Sequence, residues 1–197
     1  MNTQENKPLS PLLASAFDVL EMFCFAMFAV LLIFTFAFRL CRTDGSSMEN
    51  TLHDTDTLVV YSLGYQPQQD DIVVFHLTEN STEKTLVKRV IATGGQQVKI
   101  DFEACKIYVD GVLYEDSHAV LKDRFTGQEL GFYTLTANHH YDPATHTLSA
   151  TVPEGDVFVL GDNRNNSKDS RSAEIGFVDQ RCILGKVICR LSPFTTF

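Results

Sequence analysis

From Met22 to Phe38 every residue except Thr35 is apolar, and no other feature limits the fold of this chain so tightly. As a helix the run spans roughly 25 Å, and adding Phe17 to Leu20 brings it to the thickness of a bilayer core. The sequence predicts one transmembrane helix over 16–40, preceded by a tail over 1–15 in which Pro8 and Pro11 oppose helix. A cleaved signal peptide is the rival reading. Against it, the run exceeds an ordinary h-region, Lys7 is the only basic residue before it, and no small-x-small site follows. Arg39 and Arg42 follow the helix while Asp18 and Glu21 lie near its start, so the positive-inside rule alone places the C-terminal part in the cytoplasm.

Beyond residue 43 the pattern changes to period two. Thr57 to Tyr61, Asp71 to Phe75, Thr85 to Ile91, Val98 to Ile100, Lys106 to Val109 and Val157 to Leu160 are short runs rich in β-branched and aromatic residues. Asp110-Gly111 suits a two-residue hairpin turn, where both central positions need positive φ. Pro153-Glu154-Gly155 suits a tight turn before the last of these strands. No convincing amphipathic helix interrupts them, so the expectation is a mainly β domain over 43–197. It carries an insertion or small subdomain at about 101–150, within which the polar stretch 117–149 shows no legible strands.

Charge and side-chain chemistry narrow the function. A formal net charge of −9 and the lack of any Lys/Arg cluster argue against nucleic acid, whose phosphates need concentrated cations. Cys24, Cys41, Cys105, Cys182 and Cys189 include no C-x-x-C pair, and the six histidines show no H-E-x-x-H spacing. No metal site is expected, and a pairing of Cys105 with a C-terminal cysteine stays open.

Two polar residues stand out against this background. Ser47 sits in the turn Gly45-Ser46-Ser47-Met48 shortly after the apolar run; by itself it reads as a solvated linker hydroxyl. If Leu86 to Ile91 is a strand, Lys88 shares a face with Leu86 and Val90, while Arg89 points the other way with Val87 and Ile91. An ammonium among hydrocarbon loses hydration, which lowers its pKa and makes it a candidate base for a serine hydroxyl. An edge-strand lysine that discourages aggregation has the same local sequence.

Four stretches together carry a resemblance. Residues 44–52 (DGSSMENTL), 71–75 (DIVVF), 88–96 (KRVIATGGQ) and 161–171 (GDNRNNSKDSR) resemble the motifs of type I signal peptidase, the membrane-bound serine protease that removes signal peptides from exported proteins. Gly176-Phe177-Val178 and Ile183 to Lys186 resemble the family's C-terminal ending. The likeness runs from about 43 to 194, and the 161–171 motif is complete. Asn50 stands where the family has proline, Ala92 where it has glycine, Gly94 where it has proline, and Gln96 where it has aspartate. These are turn and packing positions, which bear on local geometry and substrate preference.

The resemblance implies the bacterial serine-lysine type, since the endoplasmic-reticulum type has histidine in place of the lysine. It implies Ser47 as nucleophile, Lys88 as base, and Ser167 as the residue that orients the lysine amine. Asp169 and Arg171, with Arg89 and Asp162, would form an ion cluster holding the 161–171 loop against the lysine strand. The Ser47 backbone N–H would stabilise the oxyanion; Gly45 stands where Gram-negative relatives supply a second donor from a serine. Met48, Leu86 and Val87 would contact a signal peptide bound as an extended strand. No cofactor is implied; the implied partners are signal peptides and membrane lipid, with the catalytic domain outside the cytoplasmic membrane, opposite to the charge rule. A peptidase specialised for pilins or for one substrate, or a non-catalytic substrate-binding homologue, fits the same pattern. A self-cleaving repressor-type protease fits poorly, because it has no membrane helix.

Overall fold

The computed structural model describes residues 10–79, 82–115, 117–119, 139–172 and 174–197, and divides them into two units, up to Phe38 and from Arg39 onward. The first unit is one helix, α1 (Pro11–Ala37). Leu12, Phe17, Phe25, Leu31 and Phe36, spread around its circumference, are all more than half exposed. It is long and apolar enough to cross a membrane. The helix starts earlier than the expected 16 because a proline at the first helical turn gives up only an N–H that has no partner there. It ends before 40 because Phe38 already has extended backbone. The tail over 1–9 lies outside the described residues.

The second unit is mainly β. A first sheet is built from β1 (Phe38–Arg42), β2 (Thr57–Tyr61), β3 (Ile72–Glu79) and β4 (Thr82–Thr93). A second is built from β5 (Gln97–Asp101), β6 (Lys106–Val109), β7 (Val112–Leu113), β8 (His139–Asp142) and β9 (Thr147–Thr151). The chain then returns to the first sheet with β10 (Asp156–Leu160), β11 (Val178–Asp179), β12 (Ile183–Leu191) and β13 (Phe194–Thr196). The first sheet runs β1-β2-β12-β3-β4-β10-β11 with β13 on β12, and the second runs β7-β6-β5-β9-β8.

Both predicted turns are present. Asp110 and Gly111 have φ of 51° and 79° and close the β6–β7 hairpin. Asp156 N–H donates to Pro153 O at 3.1 Å across Gly155, which has φ 84°. The stretch with no legible strands contributes β8 and most of β9. In β9, Leu148 and Ala150 point inward while Ser149 and Thr151 are exposed, so half of the strand reads as polar. Residues 120–138 of that stretch lie outside the described residues. All five cysteines are free thiols.

Packing explains where the site forms. Ile91, Ala92, Phe158 and Leu160 meet Ile100, Ile107 and Leu148 in one core that joins the two sheets. On another face, Leu58, Val60, Ile72, Val74 and Val187 are covered by Met48 and Leu52 from the segment after β1. Burying those two side chains, each worth about 1.5–3 kcal/mol, lays the Ser47 turn on the sheet. Strand β4 pairs with β3 along residues 82–89 but with β10 only from Arg89 onward. Among the described residues, the edge of β4 that ends at Lys88 is therefore left without a strand beside it.

Candidate active site

Lys88 lies at the point where β10 leaves β4, and it is 2% exposed. Strand alternation puts its Cβ on the face of Leu86 and Val90, which pack with Val73 and Val159. Nζ bends back over the open edge and donates to Val87 O at 3.0 Å. The same nitrogen is 2.7 Å from Ser47 Oγ. Burial strips water from the amine and brings its pKa down from 10.5 to about 8. The charges of Asp169 and Asp162 push the other way, and that of Arg171 adds to the fall. Serine oxygen and lysine nitrogen, separated by 41 residues in the chain, are in hydrogen-bond contact.

The loop 161–171 fixes this pair from behind. Asp162, fully buried, accepts from Arg89 Nε at 2.9 Å and Nη2 at 2.7 Å. It also accepts from Thr51 Oγ1 at 2.5 Å, four residues beyond the serine. Asn163 binds the serine turn twice, through N–H to Ser47 O at 3.1 Å and through Nδ2 to Ser46 O at 3.0 Å. Asn166 Nδ2 donates to Ser46 Oγ at 2.8 Å. Asp169 accepts from Arg171 Nε at 2.8 Å and Nη2 at 2.9 Å, and from Gly161 N–H at 3.0 Å. Burial pushes the Asp169 carboxyl up, but the charge and hydrogen bonds of Arg171 and the Gly161 N–H outweigh it and leave the pKa below its ordinary value.

The expected ion cluster is thus assembled, as two pairs: Arg89 with Asp162, and Arg171 with Asp169. Ser167 is adjacent but does not hold the amine. Its Oγ is buried without a regular hydrogen bond, close enough to Asp169 to help lower that carboxyl. The two hydrogen bonds of Lys88 go to Ser47 and Val87 instead. Met48, Leu86 and Val87 line a single cleft with Leu52, Thr85 and Gly45, and Ser47 and Lys88 open onto it. Thr51, Gly161, Asn163 and Asn166 join the site although no feature of their own in the sequence marks them. Their signal was their place inside the 44–52 and 161–171 motifs, whose side-chain partners emerge only when the two loops meet.

A family model described as signal peptidase, peptidase S26, matches residues 16–192. The chain belongs to that family. It is similar to signal peptidase IB of Staphylococcus aureus, 33% identical over 156 residues that cover 78% of this chain and 77% of the relative. It is also similar to the probable signal peptidase I-1 of a Synechocystis species, 35% identical over 76% of this chain and 68% of the relative. A crystal structure of a signal peptidase I from Enterococcus faecalis V583 matches 62% of this chain and 97% of its own, at 30% identity and a TM-score of 0.40.

Proposed function

We propose that this chain is a serine endopeptidase that removes N-terminal signal peptides from exported preproteins, with Ser47 as nucleophile and Lys88 as its base. The observation that carries this reading is the 2.7 Å contact between Ser47 Oγ and a buried amine whose pKa lies near 8. A fraction of that amine is neutral at physiological pH, so it can take a proton, which an ordinary lysine cannot.

The steps follow from that pair. Neutral Lys88 Nζ takes the hydroxyl proton as Ser47 Oγ bonds to the scissile carbonyl carbon. The proton passes to the departing amine as the C–N bond breaks, leaving an acyl ester on Ser47. Lys88 then deprotonates a water that attacks the ester, and Ser47 recovers a proton as the signal peptide acid leaves. The Ser47 backbone N–H donates to the oxyanion. Arg89, Asp162, Asp169 and Arg171 hold the lysine strand and the serine turn together, and the Ser167 hydroxyl beside them helps keep Asp169 ionised.

Substrate binding uses the open edge of β4. An extended peptide added there meets main-chain donors and acceptors, and its side chains drop into the cleft past Met48, Leu86 and Val87. Helix α1 anchors the enzyme in the lipid bilayer, tail inside and catalytic unit on the extracytoplasmic side. Protease accessibility of the C-terminal unit in intact protoplasts reads that orientation. Incubation of the purified full chain with a model preprotein, with the new N-terminus located by mass spectrometry, tests the function. Cleavage after small residues, lost in Ser47→Ala, is expected; no cleavage of any preprotein by wild type contradicts it.

A further inference from the structure

The Ser47 turn belongs to a loop, 43–56, whose ends are tied: Thr43 N–H donates to Asp56 O at 3.0 Å and Thr55 N–H to Thr43 O at 3.1 Å. Asp162 and Asn163 grip this loop on the Lys88 side. On another side stands Arg190, in the last long strand and outside the motifs that point to the site. Its side chain is nearly buried, 8% exposed for the residue. Nη1 donates to Asp56 Oδ2 at 3.0 Å and to Thr51 O at 3.4 Å, and lies 3.3 Å from His53 Nδ1. The other two nitrogens face the β12–β13 hairpin, Nε donating to Pro193 O at 3.0 Å and Nη2 to Thr195 Oγ1 at 3.1 Å.

One guanidinium therefore bridges two segments of chain about 135 residues apart, using its rigid fork of donors in two directions. Thr51 is the hinge of the arrangement. Its hydroxyl is held by Asp162, its carbonyl by Arg190, and its N–H by Met48 O at 2.9 Å. Burial of Met48 and Leu52 seats the turn on the sheet without fixing its direction; the bonds from Asp162 on one side and Arg190 on the other add the directed ties that limit its pivoting. We propose that Arg190 is a positioning residue for the nucleophile: it locks the 43–56 loop to the C-terminal hairpin and so holds the Ser47 hydroxyl against the Lys88 amine. This rests on Ser47 being the nucleophile. Attack needs the reacting oxygen in a narrow window, and a misplacement of about 1 Å costs on the order of 100-fold in rate.

Arg190→Lys in the full chain, in detergent micelles, tests the proposal. Lysine keeps a cation near Asp56 but cannot reach both segments. Three things are measured beside wild type: kcat and KM for preprotein cleavage, the folded fraction, and amide exchange over 44–52 and 84–93. The expected result is a folded variant with kcat down about 10- to 100-fold, unchanged KM, faster exchange over 44–52, and unchanged exchange over 84–93. A folded variant with wild-type kcat and exchange overturns the proposal, as does a fall in kcat that only follows the folded fraction. If Arg190→Lys does not fold, Thr195→Val, which removes the Nη2 bond and the long hydroxyl bond to Pro193 O at 3.5 Å within the hairpin, decides with a smaller shift in the same directions. Wild type that cleaves nothing sinks the peptidase reading, and the exchange comparison still decides whether Arg190 holds the loop.

Discussion

The carboxylate of Asp162 and the guanidinium of Arg89 meet in parallel, at 2.9 Å and 2.7 Å, with their side chains 0% and 5% exposed. Neither group has water to fall back on. Their partners extend the link: Thr51 beside the serine turn donates to the same carboxylate, and Asp70 O accepts from Arg89 Nη1 at 2.8 Å. Breaking such a pair leaves a buried charge uncompensated, which costs far more than the pair contributes when intact.

Asp162→Ala is accordingly expected to lose about 3–5 kcal/mol of stability, read as a lower denaturant midpoint. Because Arg89 adjoins Lys88 in the chain, cleavage activity should fall further than the unfolded fraction accounts for. A near-normal midpoint would mean that Arg89 finds another acceptor.

Gly161 has almost no room beside it. A methyl group there would collide with Ser167 Oγ and would meet Ser167 Cβ and Ser47 O at 2.5 Å. The backbone of the nucleophile itself would have to move. Gly161→Ala should cost about 1–3 kcal/mol by overpacking but about 100-fold or more in kcat. Kinetics and thermal unfolding measured on one preparation separate the two.

Thr51→Val keeps the shape and removes the hydroxyl that donates to Asp162. The expected loss is about 1–3 kcal/mol for a hydrogen bond to a buried charged group, with kcat lowered and KM unaffected. Thr51→Ser, which can still donate, should recover most of the rate.

Lys88 opposes stability at neutral pH. Its folded pKa of about 8 lies below its ordinary 10.5, so below pH 8 folding must hold a buried ammonium that the unfolded chain leaves in water. The unfolded state binds more protons between those values, so stability rises with pH across that window. A shift of this size corresponds to about 3 kcal/mol. Lys88→Met should be inactive yet more stable than wild type at pH 7 by up to that amount, with the advantage shrinking toward pH 10. Equilibrium unfolding at both pH values reads it.

Much of this architecture was legible because it is local. β2 and β6 were bounded correctly from alternating β-branched residues, and the Asp110-Gly111 turn from its need for positive φ. Strand β12 is absent from the runs that the pattern marks as strands, because its register shifts around Leu184 and Ile188 break the alternation. Strands β11 and β13, two and three residues long, carry too little pattern to notice. The site was legible differently. Alternation put Lys88 among hydrocarbon, but nothing local says which hydroxyl it meets; family motifs supplied that. They also suggested Ser167 as the orienting hydroxyl, whereas the amine is turned by the Val87 carbonyl at the open strand edge. Arg190 lay beyond reach, since its partners are set by where the last hairpin lands.

The most direct test follows the rate of preprotein cleavage from pH 6 to pH 10, for wild type and Lys88→Met in the same micelles. Wild-type kcat/KM should rise with an apparent pKa near 8 and then level off, while Lys88→Met is inactive throughout. A wild-type profile that is flat across this range, or cleavage persisting in Lys88→Met, contradicts the claim that this amine activates Ser47.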